Sequence, residues 1–205
     1  DDRRIYTSDN TWSRMDFTTG SITPEMLGVD NTTARDNVVN YVRGANHDNN
    51  AKLGDIFHSK PVVVGPPSRF FFDDGYSTAV GPTGTVSFVA DKAQRKRVVY
   101  VGTNDGMLHG FLSGTYQALT GQYDSGTGAE LFGYVPHHLL GRLESYLPGE
   151  VTRHGYFVDS SPRVADVWID NNADGSKQSS EWKTVLIGGM RKGGNGYLAL
   201  DVTDP

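Results

Sequence analysis

Cysteine is absent from the 205 residues, which removes disulfides, thiolate zinc sites and cysteine nucleophiles together and leaves the redox compartment open. No apolar run approaches the about 20 residues that a helix needs to cross a bilayer, so no transmembrane segment is expected. Basic charge is also short. With 19 Lys and Arg against 24 Asp and Glu, the formal net charge is -5, and the chain lacks the basic footprint of a general nucleic-acid or anionic-membrane binder. The one basic cluster, Lys92, Arg95, Lys96 and Arg97, has no aromatic residues interleaved and reads as a solvated face. No charged segment followed by an apolar one opens the chain, so an export signal is expected to have been removed or to lie upstream.

What the sequence has in excess is glycine, 25 residues, about twice the usual share. Beside it stand 3 Trp, 10 Tyr and 9 Phe, a mixture that points to many short strands and tight turns. Residues 1–52 are polar and rich in Asn, Asp and Thr, and read as a lead-in segment with one helix. The spacing of Val38, Val39 and Val42 predicts that helix over 34–43, capped by Thr33 and followed by Gly44. Residues 53–205 read as strands. Extended runs are predicted at 61–64, 97–102, 107–111, 130–135, 154–158, 163–169, 182–188 and 196–202, with Asn104, Asp105 and Gly106 forming a hairpin turn between the second and third. Residues 85–94 fit strand or helix equally. Residues 136–147 read as a helix, with Leu139, Leu140, Leu143, Tyr146 and Leu147 on one face and Pro136 in the first turn.

These runs repeat. Residues 59–64 are echoed by 160–165, and 98–102 by 184–188, each followed by a glycine-rich stretch and another apolar run, at 106–111 and 196–201. Repeated short strands punctuated by Gly and aromatic residues indicate a β-propeller, mainly β with a few short helices. A ring closes with at least about four blades, so two clear repeats are expected to form an incomplete ring within a larger one.

The sharpest local motif runs without a gap from Asp170 to Glu181. Oxygen-bearing side chains stand at its first, third and fifth positions (Asp170, Asn172, Asp174), glycine at the sixth (Gly175) and a carboxylate at the twelfth (Glu181). Ca²⁺ takes six to eight hard oxygen ligands, which alternate side chains can supply while glycine allows the chain to reverse. The backbone carbonyl of Ser176 and the side chain or bridging water of Gln178 complete the set. Both flanks read as strands, so the motif is a candidate calcium-binding hairpin with a Kd of about 10⁻⁵ to 10⁻³ M, of the kind found in extracellular modules. A plain hairpin turn is the alternative.

Other motifs carry less. Residues 188–196 lack the Lys-Ser/Thr ending and the following helix of a phosphate loop, and read as a turn between strands. The histidines at 47, 58, 109, 137, 138 and 154 show no H-x-x-x-H spacing and read as structural. No G-x-S-x-G occurs, and Asp73 with Asp74 reads as a turn beside Gly75. No catalytic residues are assigned.

Three blocks carry a family resemblance: Leu53 to Gly65 (LGDIFHSKPVVVG), Val98 to Phe111 (VVYVGTNDGMLHGF) and Trp182 to Pro205 (WKTVLIGGMRKGGNGYLALDVTDP). They resemble the signature blocks of the PilY/PilC type IV pilus tip proteins, and the run from Arg4 to Thr7 and the helix end from Tyr41 to Gly44 resemble the approach to that family's propeller. The resemblance implies a quinoprotein-like β-propeller of a secreted protein at the pilus tip, cell surface or outer membrane of a bacterium. It also implies a role in pilus assembly and adhesion, with pilin or minor pilins and a host or abiotic surface as partners, and calcium regulating extension against retraction. Asp170, Asn172, Asp174 and Ser176 match the family's calcium loop, whereas Gln178 stands where the family has a carboxylate, leaving Glu181 or water to replace it. No Arg-Gly-Asp tripeptide occurs, so integrin binding through it is not expected. The enzymatic alternative is a pyrroloquinoline-quinone-dependent dehydrogenase-like propeller, and a metal-free scaffold is a third. Enzymes of the quinone class usually present adjacent cysteines, which this chain lacks.

Overall fold

The valine-rich run Val98 to Val101, with Tyr100 within it, pairs on both sides. In the computed structural model, which describes residues 2–45, 52–149 and 154–205, it forms β4 (Arg97–Gly102). The Asn104-Asp105-Gly106 turn, with Gly106 in the left-handed region at φ 96°, returns the chain as β5 (Leu108–Gly114), pairing Tyr100 with Gly110 and Gly102 with Leu108. β3 (Val62–Val64) lies along the other edge of β4, with Val62 opposite Tyr100. β8 (Glu130–Tyr134) lies along β5, with Leu108 opposite Tyr134. The result is a four-stranded antiparallel meander, the form of one propeller blade.

The second copy of the sequence repeat folds the same way. β9 (Arg163–Trp168), β10 (Trp182–Gly189) and β11 (Tyr197–Asp201) form a three-stranded antiparallel sheet with β10 in the middle. Among the described residues the two sheets do not close a ring. The segments flanking them meet through hydrogen bonds: Val158 N donates to Thr103 O, and Lys60 N to Ser161 Oγ.

The polar first segment joins the first sheet. β1 (Ile5–Ser8) pairs parallel with β8, and β2 (Arg14–Asp16) closes that edge, giving six strands in all. Helices α1 (Pro24–Leu27) and α2 (Thr32–Val42) follow. Ile5, Val38 and Val42 lie in the same core as Val98, Leu140 and Leu186. Burying those apolar positions against the first sheet is what orders a segment whose composition is otherwise polar.

Several elements differ from expectation. α2 starts at Thr32, capped by Asn31, whose Oδ1 accepts Ala34 N at 3.0 Å, in place of Thr33. The helix at 136–147 is a 3₁₀ helix over His137–Tyr146, in which Leu140, Leu143 and Tyr146 fall one three-residue turn apart. Residues 154–158 form no strand. Phe157 and Val158 are buried in an irregular connection because their amides are taken by Asn104 Oδ1 and Thr103 O. The ambiguous 85–94 stretch contains one helical turn, α3 (Phe88–Asp91), capped by Ser87. A small hairpin, β6 (Tyr116–Gln117) with β7 (Gln122–Tyr123), was not foreseen. The basic cluster is not simply solvated: Lys92 pairs with Asp204, Arg95 donates to Gly65 O and Thr184 Oγ1, and Arg97 lies over the Tyr123 ring.

Candidate metal centre

The loop from Asp170 to Glu181 joins β9 to β10, and its base is closed by Ile169 N donating to Glu181 O. Short polar side chains bond their own backbone here. Asp170 accepts from Asp174 N through Oδ1 at 3.2 Å and from Gly175 N through Oδ2 at 3.0 Å. Asn172 Oδ1 accepts from Asp174 N at 3.1 Å, and Asp174 Oδ1 accepts from Ser176 N at 2.7 Å. Asn172 Nδ2 and Gln178 Nε2 both donate to Asp174 Oδ2, at 2.9 and 3.4 Å. Ala173 at φ 57° and Gly175 at φ 73° reverse the chain between them. The side chains of Asp170, Asn172, Asp174 and Gln178 are thus drawn to one coil of backbone, which also carries Ser176.

Glu181 stands apart from that group. It is buried, and its Oε2 accepts from Trp168 Nε1 at 3.0 Å and from Gln178 N at 3.2 Å, pinning the hairpin. Among the described residues no three His, Asp or Glu side chains gather as a metal cluster. At the coil the oxygens of Asp170, Asn172 and Asp174 are taken by backbone amides, and Gln178 reaches Asp174 through its Nε2, so a hard cation held there would have to replace these bonds and would draw on Asp170, Asn172 and Asp174 without Glu181.

The loop leans on residues 73–80. Lys177 Nζ pairs with Asp73 at 2.6 Å, Trp182 Nε1 donates to Asp74 O, and Ser179 exchanges bonds with Val80. Gly75, at φ 70°, lets the two backbones touch: a Cβ there would stand 2.6 Å from Lys177 O. Asp73 and Asp74 do form the expected turn, with Tyr76 N donating to Asp73 O.

Of the histidines read as structural, His109 lies in the largest polar network. It is fully buried on β5, with Nδ1 2.6 Å from Glu130 Oε1 and Nε2 3.0 Å from Asp105 Oδ2. Glu130 in turn takes two bonds from the Arg3 guanidinium, at 2.6 and 2.8 Å, and Asp105 accepts from Gly54 N and the Thr103 hydroxyl. Burial alone disfavours the imidazolium, but the Asp105 and Glu130 carboxylates outweigh it and raise His109 to about 9. Burial opposes the Glu130 carboxylate too, yet Arg3 and His109 hold it down to about 2. Asp105 is likewise lowered against its burial, chiefly by His109. Chain spacing gave one hint, since Asp105 lies in the hairpin turn and His109 four residues on, on β5; nothing local pointed to Glu130 or Arg3. His58 pairs with the buried Asp159 at 2.6 Å, His154 with Asp55 at 3.0 Å, and His137 with Ser8 O. His138 lies against Gly196. His47 falls outside the described residues. In the stretch 188–196, Gly188 and Gly189 end β10 and residues 190–196 form the turn to β11, with the Gly193 carbonyl held by Arg142 and a Cβ at Gly193 excluded by Phe157 O.

The family model of the PilY1 beta-propeller domain matches residues 53–205. A type IV pilus biogenesis factor PilY1 of Pseudomonas aeruginosa (strain UCBPP-PA14) is 38% identical over 177 residues, covering 82% of this chain and 13% of the relative. A PilY1 homolog of Xylella fastidiosa is 31% identical over 214 residues, covering all of this chain and 15% of the relative. The chain therefore spans only a small part of the length of these relatives. Among solved structures, the Pseudomonas aeruginosa PilY1 C-terminal domain is similar at 35% identity, with 57% of this chain and 18% of that chain covered and a TM-score of 0.37.

Proposed function

The chain belongs to the PilY1 beta-propeller family, and from that membership we propose that it is a non-enzymatic propeller module acting in type IV pilus biogenesis and surface attachment. The observation that carries this reading is the family match over residues 53–205. Its partners are then pilin or minor pilins and a host or abiotic surface. Its place is outside the cell, at the pilus tip or cell surface. No helix among the described residues is long and apolar enough to cross a membrane.

Calcium is the second part of the proposal. Asp170, Asn172 and Asp174 side chains, the Ser176 carbonyl and Gln178 would hold it, and the gathering of the Asp170, Asn172 and Asp174 side-chain oxygens on one coil of backbone supports this. Asp170 and Asp174 would be neutralised by a bound cation, and the loop they shape would be fixed. Lys177 and Ser179 then carry that order to residues 73–80, a route by which calcium could bias pilus extension against retraction. Melting the protein in calcium and in chelator tests the site. At calcium about 100-fold above Kd the native state gains about 2.7 kcal/mol. Asp174→Ala is expected to abolish that gain, and Glu181→Ala to keep it while lowering stability in both conditions. No calcium heat by calorimetry at millimolar metal refutes the metal reading. Loss of surface pili on deletion of 53–205 from the parent gene tests the biogenesis role, and unchanged piliation refutes it.

A further inference from the structure

Asparagine precedes glycine at one place in the chain, Asn195-Gly196. A side chain after asparagine shields the amide that follows it; glycine has no Cβ, so its amide nitrogen can reach the asparagine side-chain carbonyl. The pair lies in the turn from β10 to β11, which Met190 N closes by donating to Gly196 O at 3.3 Å. Among the described residues neither the Asn195 carboxamide nor the Gly196 amide makes a hydrogen bond. Groups of the same chemistry elsewhere are tied down. Asn31 caps α2, Asn104 accepts from Phe157 N and donates to Asp55, and Asn172 accepts from Asp174 N. The carboxylates that precede Gly75, Gly106 and Gly175 are held too, Asp74 by Thr78, Asp105 by His109, and Asp174 by Ser176 N. A base stands at the unengaged pair: a Cβ at Gly196 would collide with His138 Nε2, so the imidazole rests directly on this glycine. Burial first, then His137 and Arg142, hold His138 below its ordinary 6.5 and leave the ring uncharged at neutral pH.

We propose that Asn195-Gly196 is a self-modifying site, at which Asn195 converts to aspartate and isoaspartate with His138 as the base. The Gly196 amide gives its proton to His138 while its nitrogen bonds to Asn195 Cγ. The Cγ–Nδ2 bond then breaks, and Nδ2 takes up that proton and leaves as ammonia. Water opens the cyclic imide at either of its carbonyls. One route gives aspartate; the other gives isoaspartate, whose side-chain carbon enters the backbone and lengthens the turn. The new carboxylate arises among cations, since Arg191 and Lys192 precede it in the same turn and Arg142 reaches that turn at the Gly193 carbonyl. Ring closure is intramolecular, so it does not depend on what packs outside the turn. The site is also independent of the calcium reading.

The test is incubation of the full chain at neutral pH followed by peptide mapping with mass spectrometry. The peptide holding Asn195 is expected to gain about 1 Da, as a mixture of aspartate and isoaspartate, while those holding Asn31, Asn104 and Asn172 stay unchanged. In heavy-oxygen water the label is expected at the same residue. Asn195→Gln is expected to abolish the gain, because the longer side chain would have to close a larger ring. A synthetic peptide of residues 190–200 reports the rate without His138, and the folded chain is expected to convert severalfold faster. Across pH the wild-type rate is expected to inflect below 6.5 as His138 titrates, and His138→Gln to lose that inflection. An Asn195 that persists while the peptide converts, a folded chain no faster than the peptide, or a wild-type rate that follows hydroxide alone overturns the proposal.

Discussion

His109→Gln removes one charge from the centre of a buried network and leaves its neighbours in place. The imidazolium lies between Asp105 and Glu130, fully buried, and its pKa rises from 6.5 to about 9 on folding. That rise corresponds to about 3 kcal/mol of native-state preference for the charged form. The sign is fixed by its direction. Because the folded pKa lies above the unfolded one, the stabilisation is complete below pH 6.5 and is lost as pH climbs through about 9. His138 is pushed the other way by burial, so its titration falls below this window. The assay is urea unfolding followed by tryptophan fluorescence, repeated across pH. Wild type is expected to lose about 3 kcal/mol between pH 6.5 and pH values above about 9, whereas His109→Gln starts about 3 kcal/mol lower and shows little slope over the same range. A level wild-type profile there, or a variant as stable as wild type near pH 6.5, refutes the charged-histidine account. Glu130 acts at the opposite end: lowered from 4.5 to about 2, it contributes above pH 4.5 and is lost as pH falls through about 2.

Asn31→Ala is expected to cost about 1 kcal/mol and Thr33→Ala less than about 0.5 kcal/mol, measured by urea unfolding; the reverse order refutes the observed cap. Tyr100→Phe is expected to raise stability by about 1 kcal/mol, because the buried Tyr100 hydroxyl has no hydrogen-bond partner among the described residues; a destabilised variant shows that the hydroxyl is satisfied. Gly102→Ala is expected to cost about 2–3 kcal/mol, since its Cβ would stand 2.2 Å from Val158 O where the two sheets meet; a neutral result by thermal melting means the sheets part easily there.

Strands were legible where the chain alternates against a fixed turn. Val98 to Val101 and the Asn104-Asp105-Gly106 turn read as a hairpin because β-branched residues and a left-handed glycine act within a few positions. Residues 154–158 carried the same apolar signature and form no strand, since Asn104 and Thr103 take the amides that a sheet partner would need. β1 went unforeseen for the converse reason: its partner β8 lies more than a hundred residues away and pairs in parallel. The loop motif shows the same division. The inward turn of Asp170, Asn172 and Asp174 follows from bonds between neighbours, whereas Glu181, at the right spacing, is claimed by Trp168.

By itself the sequence determined a repeat of short strands, a family and the oxygen-rich coil, because each rests on residue types at short spacing. Only the tertiary structure decided which charges are buried together. Arg3 and Glu130 meet across 127 positions, and His109 is charged because that meeting, with Asp105, surrounds it in a place water does not reach. A buried ion is stable only if distant chain segments supply its counterions, and no local pattern records where those segments return.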